Sequence, residues 1–528
     1  MLESMFLVLL SLVGIQDTLN LSLEEAKRIA LINNRDIQIE RKNLEIALGN
    51  ILTERGAFDP VLNLTTSYTD AEIPTSSTFI EGGSVNEKEF AIGGGGPTRF
   101  IITGTGGVTG IVPTAENGIT GILPTGTFYN LFNFSLSRVE TDSPIEELSP
   151  SWFSSLSFTV GQDLLRNFGF NANLAQLRVA RRTGDISRKE LEARITDVLL
   201  NVETAYWNLV AAGENLELAK TALSLAEDLQ RRNEIQVEVG VLPRVAITQA
   251  KSEVAARQVD VIRAENDLQA TKDTLLNILA LPLIVDVVPT DEPVTDLKKF
   301  DEDEALKVAI EKRPELEQAK LDIENREVLK KFYSNQRLPR LAIQGTVNLQ
   351  GLGGDENPNR IVFGDGEPDP ISDMFDDSYR DSFRNLFHGE FPTWEVLAIF
   401  SFPIFNWTAR GNYIQASADL DRSVIAYKRT TEDVALDVRN AIREVENSLR
   451  RIEAARTANQ LVGEVLGNEE ERFRVGIGTT RDVLEAQRDL VNEQTQLIRA
   501  IADYNIALAQ LERAKGTLVK MSGVQIEE

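Results

Sequence analysis

The 528-residue sequence predicts a mainly helical fold with a smaller β portion, built from two copies of one unit. Three observations carry that prediction. Val483, Leu490, Leu497, Tyr504, Leu511 and Leu518 recur every seven residues, and Ala486, Ala500, Ala507 and Ala514 fill a second row beside them. A strict seven-residue apolar repeat with a row of small residues is a coiled-coil seam that lets helices approach closely. A shift of 236 residues then carries the first row onto Ile247, Val254, Val261, Leu268 and Leu275, and Gly476 onto Gly240. Finally, four short segments elsewhere change from helical periodicity to an alternation of period two.

In chain order, Met5–Ile15 is an apolar run of signal-peptide length, and residues 1–20 are read as an export segment. It departs from the usual pattern: Glu3 stands where a basic residue is expected, and no A-x-A site follows. No other stretch approaches 18 consecutive apolar residues, so no helical membrane span is predicted. The first repeat is set at 21–281. Ser22 is the expected N-cap of a short helix, with Glu24 and Glu25 suited to its positive end. Asn33-Asn34 breaks that helix, and a second continues to Gly56. A shift of 279 residues finds this pair again at 303–337, where Arg313-Pro314 marks the break. The shifts of 279 and 236 differ by 43 residues, an insertion in the middle of the first copy.

After Pro60 and Pro339 the period becomes two. Strands are expected at about 61–69 and 340–349, and before each long hairpin at about 151–160 and 393–402. Trp152, Ser154, Leu156, Phe158 and Val160 share one face, against Ser155, Ser157 and Thr159 on the other. Such segments of nine or ten residues have the length and polarity of outer-membrane barrel strands, and equally of a half-buried soluble sheet. Between them lie two polar insertions read as loops, 70–150 and 350–392. Phe128 to Ser137 alternates too and is a candidate further strand. The long hairpins follow at 171–281 and 410–518, with 282–302 a linker, 303–518 the second repeat and 519–528 a tail. A helix running from 171 to 239 would be on the order of 100 Å long. It must pack beside other helices, because no single globular core encloses it.

Composition removes several functions. Net charge is −26, with 81 acidic and 55 basic residues, which excludes the basic face that nucleic acid needs. There is no cysteine, so disulfides, thiolate metal sites and cysteine nucleophiles are absent. The single histidine, His388, is read as a solvated loop residue. No Ser/His/Asp grouping, phosphate-binding loop or cluster of metal ligands is present in sequence, so no enzyme, cofactor or metal centre is expected. Four strands cannot close a barrel, and open edges in lipid are forbidden. Strands in a membrane would therefore oblige the chain to oligomerise; counting alone permits a dimer of eight strands or a trimer of twelve.

The tandem order of short helices, strands and long hairpin resembles the TolC-like outer-membrane efflux proteins over nearly all the chain after Leu21. The most specific parts are the turns Val239-Gly240-Val241-Leu242 and Val475-Gly476-Ile477, the run Asp482-Val483-Leu484-Glu485-Ala486-Gln487, and Val160-Gly161-Gln162-Asp163-Leu164-Leu165. The resemblance implies a homotrimer with a twelve-stranded barrel in outer-membrane lipid and a helical barrel through the periplasm. It implies a channel for efflux or type I secretion, working with a periplasmic adaptor (membrane fusion) protein and an inner-membrane transporter. It makes Asp482 and Glu485, three residues apart on one helix face, a pore gate. The same acids would otherwise serve the helix dipole. It also makes Val239, Gly240, Val241, Leu242, Val475, Gly476, Ile477, Gly478 and Thr479 the adaptor-docking tips; otherwise the glycines are ordinary helix-turn residues. Val245-Ala246 and Gly478 replace polar and basic groups of some relatives, which argues against a salt-bridge lock between helices. The competing reading from composition and periodicity is a soluble periplasmic coiled-coil scaffold.

Overall fold

A computed structural model describes residues 19–74, 84–92, 102–103, 107–108, 117–295, 300–361, 371–375 and 377–521. Most of the export segment, the Gly93–Pro97 run and the tail beyond Met521 lie outside them. The elements in chain order are β1 (Leu19–Leu21), α1 (Leu23–Asn33), α2 (Arg35–Gly56), β2 (Val61–Asn63), β3 (Thr66–Pro74), β4 (Ser84–Ile92), β5 (Ile102–Thr103), β6 (Gly107–Val108), β7 (Gly118–Ile122), β8 (Thr127–Thr141) and β9 (Leu148–Asp163). The first long hairpin follows a helical turn, α3 (Phe170–Asn173), as α4 (Ala175–Glu238) and α5 (Val245–Ile278). The second copy comprises β10 (Val287–Pro289), α6 (Glu302–Lys312), α7 (Pro314–Gln336), β11 (Arg340–Glu356), α8 (Ser378–His388), β12 (Phe391–Ser401), α9 (Trp407–Arg474), α10 (Thr480–Ala514) and α11 (Leu518–Met521). By contacts the chain forms two compact units, one of residues 1–48, 183–323 and 423–528, the other of 49–182 and 324–422.

The first unit is helical, and the seven-residue rows become its core. Val483, Tyr504, Leu511 and Leu518 are buried, as are Ala486, Ala500, Ala507 and Ala514. Alanine at those positions costs no side-chain entropy and leaves room for a neighbouring helix. The short helices close this core. Ser22 accepts the Glu25 N–H and Glu25 accepts the Ser22 N–H, a reciprocal capping box. Those hydrogen bonds to Ser22, with Arg28 nearby, hold the Glu25 carboxyl below its ordinary pKa. Asn34 ends α1 and starts α2, its Oδ1 accepting the N–H groups of Asp36 and Ile37. In the second copy Pro314 takes the first helical position, where a missing N–H costs nothing. Arg313 before it is buried and paired with Glu315 and Asp437.

One part of this unit had no signal in the pattern. Residues 287–289, inside the stretch read as linker, form β10 and pair in parallel with β1. Tyr206 of α4 clamps the pair. Its hydroxyl lies 3.0 Å from the Leu21 carbonyl and 2.8 Å from the Asp291 carboxylate, and accepts the N–H groups of Thr290 and Asp291. Burial pushes its pKa up to about 12, so the phenol stays neutral.

The second unit is built on an antiparallel sheet. β12, β11, β9 and β8 lie side by side. Leu349 faces Leu156 across β11 and β9, and Val347 faces Trp394 across β11 and β12. One face therefore collects Phe134, Leu156, Phe158, Ile343, Val347, Trp394, Val396 and Phe400; the other collects Asn133, Ser135, Ser157, Thr159, Gln344, Thr346, Asn348 and Glu395. The family-like run through Gly161 and Asp163 has local reasons. A Cβ at Gly161 would strike the Phe128 ring at 2.1 Å, and Asp163 pairs with Arg340 at 3.0 Å.

Both insertions read as loops contain structure. Residues 70–150 hold β4, β7 and all of β8, and the strand at 61–69 is interrupted between Asn63 and Thr66. Residues 350–392 hold the end of β11, the start of β12 and α8. This helix buries Asp381, Ser382 and Asn385 against the sheet, where Ser382 Oγ lies 2.7 Å from Ser154 Oγ and 3.2 Å from the Gly351 carbonyl. His388 is consequently the last residue of a helix and not a loop residue, its Nδ1 2.8 Å from the Arg384 carbonyl.

Candidate functional site at the hairpin tips

The two tips are the same object at the level of single hydrogen bonds. At the first, Val241 N–H donates to the Gln236 carbonyl and Gly240 N–H to the Val237 carbonyl. At the second, Ile477 N–H donates to the Arg472 carbonyl and Gly476 N–H to the Phe473 carbonyl. This is the Schellman stop, which needs a left-handed residue after the last helical turn. Gly240 and Gly476 supply it with φ of +80° and +81°. The 236-residue repeat is thus preserved to individual carbonyls.

That geometry explains the glycines but not their neighbours. Val239, Val241, Val475 and Ile477 are 67%, 69%, 59% and 71% exposed. A Schellman turn usually packs its C-terminal apolar residue back on the helix; here two aliphatic side chains at each tip project into solvent. Leu242 is partly buried and Gly478 is held by its own N–H bond to the Arg472 carbonyl. A Cβ at Gly478 would meet the Phe473 nitrogen at 2.8 Å.

Thr479 and Asp482 restart the second helix. Thr479 Oγ1 accepts the Asp482 N–H, and the Asp482 carboxylate accepts the Thr479 N–H at 3.0 Å, a complete capping box. These hydrogen bonds, with the positive charges of Arg472 and Arg481, hold the Asp482 carboxyl below its ordinary pKa. Glu485 lies one turn on, exposed, and makes no ion pair among the described residues. The two acids differ in what they are doing within one chain: Asp482 is engaged by its own helix end and Glu485 is not.

Below the tips the hairpins are joined. Leu229, Leu466, Val483, Leu484 and Ala486 form an apolar cluster, and the buried Asn233 amide reaches Thr480 Oγ1 at 3.3 Å. Arg488 on α10 pairs with Glu253 on α5 at 2.8 Å, and Glu253 also pairs with Arg257. Glu253 and Arg257 are nearly fully buried. An ion pair between the returning helices therefore exists, although the tip residues themselves lack locking groups. Sequence inspection passed over it because charges at these spacings are usually solvated.

Among the described residues no group of His, Cys, Asp and Glu is arranged to hold a metal ion, and no helix is long and apolar enough to cross a membrane. Two duplicated helical hairpins, with an antiparallel sheet that is apolar on one face and polar on the other, define a channel-type protein of the outer membrane. The chain belongs to the outer membrane efflux protein family, whose model matches residues 129–281 and 305–517, more than half of the chain. No curated protein sequence matches it closely. Solved structures share the fold. The CmeC outer membrane channel of Campylobacter jejuni is 16% identical, with a TM-score of 0.62 over 94% of this chain and 86% of its own. VceC of Vibrio cholerae is 16% identical, with a TM-score of 0.62 over 94% and 96%. The open state of the MtrE channel of Neisseria gonorrhoeae is also 16% identical, with a TM-score of 0.59 over 94% and 89%.

Proposed function

We propose that three copies of this chain form an export conduit whose hairpin tips dock a periplasmic adaptor serving an inner-membrane transporter. The observation that carries the docking is the pair of duplicated tips. Each holds two solvent-exposed aliphatic side chains on a glycine-centred stop that the helix fold alone does not require to be apolar. Exposed apolar side chains clustered at a rigid end favour a protein partner. The Asp482 and Glu485 pair is proposed as the gate, with Glu485 the acid that faces the pore and Asp482 the residue that holds the helix start. Three copies then place a ring of three free carboxylates at the mouth, which favours cations.

The test replaces side chains without disturbing the turn. Val475→Asp with Ile477→Asp leaves Gly476 in place. Export by cells carrying this variant is expected to fall to background while the oligomer keeps its native size. Retained export with a normal oligomer would contradict docking at this tip. Substituting Gly476 itself is a poorer test, because any side chain there is strained in the left-handed conformation.

A further inference from the structure

We propose that α8 is a lipid-binding element at the outward rim of the sheet, holding phosphate-bearing lipid of the outer leaflet. This rests on the family's place in the outer membrane, and not on the trimer, the docking or the gate. β11 leaves the end of α7 and β12 leads into α9, so the chain between β11 and β12, which carries α8, lies at the end of the sheet away from those helices.

The helix is seated on the apolar face. Gly351 pairs with Ser154 and Gly353 with Trp152, farther along the row that pairs Leu349 with Leu156. A Cβ at Gly351 would strike the Ser382 carbonyl, and one at Gly353 the Ser378 carbonyl, so two glycines open the seat. At the other end of the helix Gly389 stands over the Leu349 side chain. α8 therefore runs along β11, from the level of Gly353 to the level of Leu349, where the apolar row of the strand stops. An apolar strand face in the outer membrane meets lipid. The helix begins where that face runs out.

Its own two halves are reversed. Residues four apart share a side of a helix. Asp381 and Asn385 form one buried row, Ser382 and Leu386 the next. Asn385 donates to the Leu352 carbonyl at 3.0 Å, and Ser382 accepts or donates to Ser154 at 2.7 Å. The half turned away from the sheet carries Tyr379, Phe383 and Phe387 in one row and Arg380, Arg384 and His388 in the adjoining one. Water would favour the opposite arrangement, with the acid, serine and amide outside and the rings inside. The aromatic row continues the sheet: Phe383 stacks on Phe134 at 6.1 Å, Phe387 on Phe383 at 6.2 Å, and Tyr379 meets the edge of Trp152 at 6.0 Å. Phe387 is nonetheless 71% exposed. The one acid within the helix, Asp381, is turned inward and paired with Arg384 at 2.7 Å, so the outward half is cationic. Rings beside cations suit the boundary between acyl chains and headgroups, and a phosphate headgroup complements the basic row.

The absence of cysteine makes a single label specific. Phe387→Cys in the full chain is coupled to bimane and placed in phosphatidylcholine vesicles with brominated or ordinary acyl chains. Bromine is expected to quench this label strongly and a label at Asp373→Cys, in the exposed stretch before the helix, little. An unquenched Phe387→Cys label in protein of native size and heat-modifiable mobility would place α8 in water or against another chain, and would overturn the proposal. The second readout is binding of lipid A, with and without its phosphates, to detergent-solubilised protein by native mass spectrometry. The parent should prefer the phosphorylated form by at least about fivefold, the factor expected from one cation at the headgroup level. Arg380→Gln with His388→Gln should remove that preference, with Arg384 kept as the partner of Asp381. Inorganic phosphate should not compete. Equal binding of the two lipids by the parent, an unchanged preference in the variant, or competition by free phosphate would overturn recognition of a lipid phosphate. None of these readouts depends on export or conductance, so their failure would leave the conduit standing.

Discussion

The two hairpin tips stop their first helix identically and start their second helix differently. Gly240 and Gly476 hold the same left-handed turn with the same pair of hydrogen bonds. At the restart, Thr479 and Asp482 form a capping box, whereas Arg244 stands in an already helical conformation with no side-chain cap. The stop and its exposed aliphatic pair are what the copies share, as a common docking role requires. The restart is where they diverge, and there the second tip acquires acids beside the pore axis we propose. On the proposed reading, the difference separates a shared docking surface from a gate confined to one hairpin.

The strongest way to break this comparison is to make the tips chemically unequal. Aspartates at Val239 and Val241 should abolish export as fully as aspartates at Val475 and Ile477, read by cargo retention in cells. Full activity from either variant would confine docking to the other tip. Next in size, Gly240→Ala and Gly476→Ala should each destabilise their own tip by about 1–2 kcal/mol, since an L-residue is forced into the left-handed region. Hydrogen exchange at the tip amides measures both, and equal costs are expected because neither site has a neighbour within 4 Å of the new Cβ. Thr479→Ala should cost the second tip about 1 kcal/mol and leave the first unchanged.

The smallest effect concerns pH. The Asp482 carboxyl is held below its ordinary value by its bonds to Thr479, so the charged form is the stabilising one. Its contribution is complete above the ordinary carboxylate range and is lost as pH falls through the lowered folded-state value. Acid should therefore loosen the second tip before the first, seen as faster exchange of the Thr479 and Asp482 amides. Equal pH dependence at both tips would contradict the capping role.

Much of the helical unit was legible in the sequence because its physics is periodic. A seven-residue row must lie on one side of a helix, and the 236-residue shift located matching stops without any structure. Tyr206 was not legible: nothing local marks a phenol that closes a parallel pair 185 and 85 residues away from it in sequence. The sheet was half legible. β9, β11 and β12 alternate cleanly, whereas β4 reads Ser-Val-Asn-Glu-Lys-Glu-Phe-Ala-Ile, whose apolar row is interrupted by Lys88 and Asn86. Its outer half pairs with the charged end of β8, where Lys88 faces Glu140, so charges there are compatible with a strand. α8 was missed because it is inverted. Beside Leu386 it buries Asp381, Ser382 and Asn385, and it exposes Phe387 and Tyr379, so its buried stripe is mostly polar and a search for an apolar one passes over it.

The two tips also differ in free charge, and this leads to the most direct test of a conduit with its gate at the second hairpin. Single-channel recording in planar bilayers, with protein extracted from outer membranes in detergent, is predicted to show discrete steps that favour cations. Glu485→Ala should abolish the preference, and Asp482→Ala should reduce it less. Protein that dissolves without detergent as a single chain and gives no conductance would contradict the account.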